Sequence, residues 1–551
     1  MKDKINIFLL RIDYFFCLIL AFAFTSAPFY MNTGECAITL TFVLSSVSLY
    51  AIFLYITNYI RRYLTMENIG FEEFSVDESH LIKKIFDSPK SILLITTLIL
   101  VSWCIPLIFL YPGTFINDTW GELQQYISFT QQGGVLQDHH PIFDTVILGV
   151  LIVPLAEASG KWHIVIFLYV LLQAALTGLS FAYAINYFYK KLHIGFRFSR
   201  VLFVAYCLLP LYPASVQTVS KDALFSWIYV FFLVDFIEVI RSNGRCLSNK
   251  VIMIKLIVFA ILCCLTKKVG FYVVFFSLMS VLIFQKENRK LILFPLVSVF
   301  ILMYGIMPIV RTELHVIPGG KQEMFSLPFQ MTARYVKEHS DDVTDEEYEV
   351  IDRVLTMEDL ASRYNPTNAD PVKDYYQKGS GQDYVEYIRV WIKQGLRHPD
   401  SYIAAFNSML AGWFSWSEYD PLMNMDWRNQ HDTNMIPSWV PIRGKSEITA
   451  NAYQEVYHGL YKIPFFQIFL TYGLYASLIP AFTIATSLAY IKRNKYYCLA
   501  VLPTIFSLGF GCWLAPVSTL FEGRRYLYPL VYTAPILIAW CMYIYKQNCR
   551  K

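Results

Sequence analysis

"IFDTVILGVLIVPLAEASG", residues Ile142–Gly160, is the stretch on which the topology of this chain turns. A helix that crosses a bilayer needs roughly 20 mostly apolar residues. The apolar run here, 142–156, is shorter than that and is followed by Glu157 and Gly160. Around it lie apolar runs near 13–30, 37–59, 91–111, 163–187, 200–218, 222–240, 251–266, 269–284, 291–310, 463–491, 496–515 and 526–545. Between them lie basic loops: "IRRY" (60–63) with Lys83-Lys84, "YKKLHIGFRFSR" (189–200), "RSNGRCLSNK" (241–250), "QKENRK" (285–290), "IKRNK" (491–495) and the tail "KQNCRK" (546–551). Lys and Arg in short loops collect on the cytoplasmic side of a membrane. If every run crossed, these loops would be split between the two sides. If 142–156 is a juxtamembrane or re-entrant helix, twelve spans remain, both termini lie inside, and every basic loop falls on one side. The sequence therefore predicts an all-α polytopic membrane protein in the cell membrane. It has about 12 transmembrane helices, juxtamembrane helices and a mainly helical extracellular domain.

Composition agrees. The 551 residues are 56% hydrophobic and only 16% charged, against about 25% charged in soluble domains. A net charge of +4 is too small to point to nucleic acid. The N-terminal apolar run has basic residues before it but no small-residue cleavage site, so it reads as a first span that stays attached. None of the eleven cysteines falls in 311–462, and no CxxC or Cys/His cluster has zinc-like spacing.

The chain divides into an N-terminal helical pair with a cytoplasmic loop (1–90), a transmembrane core (91–310) with its first outer loop at 111–162, an extracellular domain (311–462) and C-terminal transmembrane helices (463–551). The extracellular part holds 23 of the 42 acidic residues against 15 Lys and Arg. In "TDEEYEVIDRVLTMEDLASRY" (344–364), Thr344 and Glu347 have the spacing of a capping box.

Besides the domain 311–462, four segments are left on the outer face: 111–162, 219–223, the pair Lys267-Lys268 and 518–526. In "YPGTFINDTWGELQQY", Pro112 and Gly113 end a span. Trp120, Leu123 and Tyr126 or Ile127 then share one face of an interfacial helix. Asp118 and Glu122 lie one turn apart, so both carboxylates can point the same way; an Asp in this position is also a common N-cap. "QDHHPIFD" places Asp138, His139 and His140 ahead of Pro141, a residue accepted at a helix start, with Asp144 just inside. Such a group can bind a metal, hold a phosphate or position a base, or form a polar turn. Lys221-Asp222 and Lys267-Lys268 each interrupt apolar sequence, where cations snorkel, pair or line a cavity. "FEGRRYLYP" (521–529) sets Glu522, Arg524 and Arg525 before the last span, where guanidinium forks suit phosphate or anchor at headgroups. Taken together, the carboxylates can deprotonate a hydroxyl and the cations can hold a phosphate as it leaves.

The order of these pieces resembles the GT-C superfamily of integral-membrane glycosyltransferases. The likeness is strongest to the branch that uses polyprenyl-phosphate sugars, which includes aminoarabinose- and mannosyl-transferases. The segment "QMTARYVKEHSDDVTDEEYEVIDRVL…RYNPTNADPVKDYY" is similar to an uncharacterised branch of Gram-positive surface-polysaccharide membrane proteins. The resemblance covers about 91–551. It implies transfer of a sugar from a polyprenyl-phosphate donor, held with membrane lipid among the helices, to a cell-envelope glycan or polyol-phosphate polymer outside. It implies Asp118, with Glu122, as catalytic base or metal-site residue. His139 and His140, at the family's histidine-proline motif, would contact substrate, as would Lys221, Asp222, Lys267, Lys268, Glu522, Arg524 and Arg525. Metal-dependent members carry an acidic pair where this chain has Asn117-Asp118. A divalent ion, with Asp118, His139 and His140 as its ligands, is therefore left open. The rival readings are a flippase or transporter of lipid-linked glycans, which needs no base, and a non-catalytic envelope-assembly protein.

Overall fold

A computed structural model describes residues 2–65, 81–416, 447–492, 494–514 and 523–549. Two apolar helices, α1 (Lys2–Thr33) and α2 (Leu40–Thr65), form an N-terminal hairpin. A short α3 (Leu81–Asp87) leads into α4 (Ser91–Phe109). Next come strand β1 (Thr114–Phe115), α5 (Asn117–Gln131), strand β2 (Gln137–Asp138), α6 (Ile142–Ser159) and the long α7 (Trp162–Asn186). After α8 (Phe196–Leu208), α9 (Leu211–Val216) and strand β3 (Thr218–Val219), the core continues with α10 (Lys221–Arg241), α11 (Lys250–Thr266) and α12 (Lys268–Phe284). Helix α13 (Arg289–Phe300) runs through a π-helical turn into α14 (Met307–Glu313).

Strand β4 (Ile317–Pro318) opens a helical unit of α15 (Ser326–Glu338), α16 (Asp345–Asp352), α17 (Leu360–Arg363), α18 (Asp370–Lys373), α19 (Gly381–Arg397) and α20 (Pro399–Leu410). The chain closes with α21 (Glu447–Tyr461), α22 (Pro464–Phe469), α23 (Ile479–Ala489), α24 (Leu502–Leu508), α25 (Gly523–Tyr526) and α26 (Tyr528–Cys549).

Among the described residues, nine helices are long and apolar enough to cross a membrane. Large apolar side chains stay exposed along them, as at Val101 (62%) and Ile105 (68%) on α4. An exposed apolar band of this extent is unstable in water and suits lipid. The architecture is that of an all-α polytopic membrane protein, with α10 and α26 buried along nearly their whole length at its centre.

Contacts sort the loops into two ends. At one end, Lys190 Nζ bonds Ser91 Oγ (2.9 Å), Asn288 bonds the Asn243 carbonyl (2.8 Å), Lys546 bonds the His193 carbonyl, and Arg61 bonds Asp13 and Tyr545. The Tyr490 ring packs on Tyr545. The basic loops are therefore gathered at this end. At the other end β1 pairs in parallel with β3, Thr114 facing Thr218. Gly113 permits this close approach: at its φ of +114° a side chain is strained, and a Cβ would sit 3.0 Å from the Gln217 carbonyl.

Helix α6 begins and ends at this second end. Its start follows His140, which touches Lys221. Its end carries Glu157, which accepts hydrogen bonds from Gln131 at 2.8 and 2.9 Å. Helix α7 then starts beside Tyr111, whose ring packs on His163 and Phe167. Helix α5 lies against α6 where Gly149 leaves room for the Tyr126 ring; a Cβ there would be 2.1 Å from Tyr126 Cγ.

The unit 326–410 has its own apolar cores, around Phe329, Ile351 and Tyr387 and around Tyr335 and Met409. It docks on the end of α1, where Arg334 and Ser408 both bond the Gly34 carbonyl. Thr344 caps α16 by accepting from the Glu347 N–H, but Glu347 does not return the bond as a capping box requires. It is buried and engaged by Arg397 and Lys393 instead. Among the described residues, the reciprocal box is at the start of α19, between the N-cap Ser380 and Asp383.

Candidate functional site

Helix α5 brings the first acids into place. Trp120, Leu123 and Ile127 are buried on one face, as the sequence pattern predicts. Asp118 is not the cap of this helix; the N-cap position belongs to Ile116, with no side-chain bond. Its carboxylate turns inward. Oδ2 accepts hydrogen bonds from Lys221 Nζ (2.9 Å), at the start of α10, and from Arg525 Nη1 (2.7 Å), on α25. Three segments widely separated in sequence thus meet at one oxygen.

His140 closes the group. Its Nδ1 touches Lys221 Nζ and lies 3.7 Å from Glu122 Oε1 and 4.0 Å from Asp118 Oδ2. His139 packs edge-on against His140. Behind them, Lys267 Nζ bonds Asp222 (2.5 Å), and Arg525 Nε lies 3.9 Å from the other Asp222 oxygen. The Asp222 side chain is fully buried. It positions Lys267 and Arg525, and any effect it has on a ligand passes through them.

Lys267 and Lys268, adjacent in sequence, diverge. Lys268 reaches the Asp138 carbonyl and lies 3.8 Å from its carboxylate. The same carboxylate is bonded by Arg311 of α14 at 3.0 Å. Strand β2, which carries Asp138, pairs with β4, so the helical unit 326–410 is tied to the site through Gln137 and Ile317. Asp138, Lys268 and Arg311 also line a cavity of about 280 Å³ whose remaining walls include Phe271, Tyr272, Met303 and Met307. Glu522 and the side chain of Arg524 lie outside the described residues.

The two carboxyls of α5 are driven apart. Burial acts to raise the Asp118 acid, but Arg525, Lys221 and His140 overcome it and hold Asp118 well below the usual carboxylate range. Burial, followed by the neighbouring Asp144, pushes Glu122 well above its ordinary value. Apart from each other, Glu122 and Asp144 have no hydrogen-bond partner among the described residues. Burial and then Lys221 push the His140 imidazole down to about 3, so its ring is neutral at physiological pH; burial likewise lowers His139. Two acids one turn apart whose proton affinities are driven in opposite directions are a frequent arrangement for acid–base work. Here the ionised one, Asp118, is also the more exposed, with 25% of its side chain accessible against 1% for Glu122.

The structure brings Asp118, Glu122, His140, Lys221, Asp222, Lys267 and Arg525 into one network, with His139 and Lys268 on its rim. Sequence reasoning missed Arg311. The signal was available: a cation at the end of the run 291–310 away from the basic loop 285–290, placed as Lys267-Lys268 is relative to the positive-inside trend.

Residues 123–550 match the model of a family described as a family of unknown function, DUF6020. No curated protein and no solved structure matches the chain.

Proposed function

We propose that this chain, which belongs to the DUF6020 family, is a membrane glycosyltransferase of GT-C type. It moves a sugar from a polyprenyl-phosphate donor to a cell-envelope glycan or polyol-phosphate polymer on the outer face of the cell membrane. The observation that carries this reading is the meeting of Asp118 with Lys221 and Arg525 at the end of the bundle opposite the basic loops. Positive loops mark the cytoplasmic side, so both termini lie inside and the Asp118 cluster faces out. With α6 lying along the membrane, the helices make twelve crossings, several of them by helices shorter than a full span or broken by a π turn.

In the free state Asp118 is a weak base, because two cations stabilise its charge. A donor phosphate competes for those cations. As Lys221 and Arg525 turn towards it, Asp118 loses their stabilisation and becomes more basic. It then takes the proton of the acceptor hydroxyl as that oxygen attacks the anomeric carbon. The bond from that carbon to the phosphate oxygen breaks, and polyprenyl phosphate leaves with its added charge held by Lys221, Lys267 and Arg525. Attack opposite the leaving group inverts the anomeric centre. Neutral His140 orients a substrate hydroxyl. The cavity between α12 and α14 takes the first part of the lipid, with Lys268 and Arg311 at its polar rim.

The donor set does not fit a metal. Lys221 Nζ stands 2.9 Å from Asp118 and 3.9 Å from Glu122 and touches His140, the point an ion shared by those three would take. Transfer is therefore proposed without one.

A second reading, a carrier of lipid-linked glycans, has some support from buried charge at the basic end. Asp235 and Lys255 (2.8 Å) and Glu238 and Arg241 (2.7 Å) are examples. Each of these carboxylates is already engaged by a cation close by, which favours tethering over cargo binding.

The test is Asp118→Asn in cells, read by mass spectrometry of envelope polymers. Loss of one sugar decoration with normal amounts of folded protein is the expected result. An unchanged polymer sinks the transferase.

A further inference from the structure

Away from this cluster, two helix ends meet in the unit 326–410. His339 follows α15, its N–H bonding the Tyr335 carbonyl (2.8 Å); His398 ends α19, its N–H bonding that of Gln394 (2.9 Å). Their imidazoles stack with centroids 3.6 Å apart and planes 9° from parallel. Asp400, in the first turn of α20, completes a group in which one ligand atom from each residue lies within 4.8 Å of the others.

We propose that His339, His398 and Asp400 form a binding site for a divalent ion of the zinc type. Three features favour this. First, each ring already has one nitrogen anchored. His398 Nε2 bonds Asp342 Oδ2 at 2.8 Å, and His339 Nε2 bonds Ser401 Oγ at 3.1 Å, with Ser401 donating in turn to Glu338. Metal-bound histidines are oriented by a polar partner on the far nitrogen in this way; to share one ion through Nδ1 the two rings turn out of their parallel stack about those anchors. Second, His339 follows the C-terminus of α15, where the backbone dipoles favour a cation, and Asp400 supplies a negative charge from the first turn of α20. Third, Arg397, next to His398, pairs with Glu347 (2.9 Å) and bonds the Asp342 carbonyl, and Arg334 pairs with Glu338 (2.8 Å).

Two imidazoles and one carboxylate suit zinc and its neighbours and not calcium or magnesium, which take oxygen ligands. Such a set leaves a coordination position open for water or a substrate oxygen. The ion would join α15 to the α19–α20 corner. No cysteine takes part, and the two histidines come from different helices, so no short spacing motif announces the site.

The test uses the full-length protein in detergent, stripped with EDTA and then loaded with zinc chloride. Metal retained after gel filtration is measured by mass spectrometry. The expected result is one zinc per chain in the wild type and in a His139→Ala/His140→Ala control, and loss of it in His339→Gln and His398→Gln. Asp342→Asn, which alters only an orienting partner, should bind about ten-fold more weakly. Zinc should raise the midpoint of thermal unfolding of the wild type and leave that of His398→Gln unmoved. A wild type that retains no zinc, or a His398→Gln chain that retains as much as the wild type, overturns the assignment. So does loss of the metal in the His139→Ala/His140→Ala control alone.

Discussion

Buried charge gathers at both ends of the helical bundle, and the two ends balance it differently. At the basic end each acid has a dedicated partner: Asp13 with Arg61, Asp235 with Lys255, Glu238 with Arg241. Tyrosines complete the shells, Tyr545 on Arg61, Tyr183 on Asp235 and Tyr187 on Glu238. At the other end Lys221 and Arg525 share Asp118, Lys267 and Arg525 face Asp222, and Lys268 and Arg311 share Asp138. Among the described residues five cations there, of which Lys268 and Arg311 are the more exposed, attend three carboxylates, while burial raises Glu122 and Asp144 above their ordinary values. Burial of charge does not by itself mark a site, because matched pairs also serve to join helices. A surplus of one sign, on side chains from distant segments, is what an anionic ligand requires.

The largest expected effect separates these roles. Asp118→Asn should lower transfer by about 10²–10⁴-fold, the usual worth of a positioned base, with little loss of folded protein; a drop in stability without a drop in rate would erase the distinction. Asp13→Ala should do the opposite, costing about 3–5 kcal/mol of stability by stranding Arg61, with turnover per folded molecule unchanged. Pairing Asp13→Leu with Arg61→Met should recover most of that loss in a thermal melt, since a buried pair is replaceable by apolar packing.

Lys268→Ala and Arg311→Ala should each raise KM for the donor about ten-fold, the effect of losing one charge-assisted bond, while kcat holds. An unchanged KM would move the lipid phosphate away from the cavity rim.

The smallest effect is a matter of pH. Glu122 has a raised folded value, so between its unfolded and folded values the native state binds more protons than the unfolded one, and stability falls as pH rises. Glu122→Gln should flatten that decline, read as the thermal midpoint from pH 5 to 8. Because His140 is displaced to about 3, no inflection near the ordinary histidine value of about 6.5 should be assignable to it, and His140→Gln should leave the pH profile unshifted.

Much of this was legible beforehand. The apolar runs foretold the helices. The buried face of α5 followed from Trp120, Leu123 and Ile127. Other features were opaque. By spacing alone Asp118 looked more like a cap, since its partners lie about a hundred and about four hundred residues away. Lys267 and Lys268 read as one pair, yet the start of α12 separates them: Lys267 is extended before the helix and Lys268 opens it. Glu347 fitted a local capping rule that a buried ion pair with Arg397 overrode.

Hydrophobicity and loop charge are summed along the chain, so the sequence alone determined that this protein belongs in a membrane and which loops share a side. The meeting of Asp118, Lys221 and Arg525, the self-neutralised pairs at the far end and the stacked histidines of the unit 326–410 were decided by tertiary structure. Each depends on which helices pack together, and Coulomb attraction and hydrogen bonding act over ångströms in space whatever the separation in sequence.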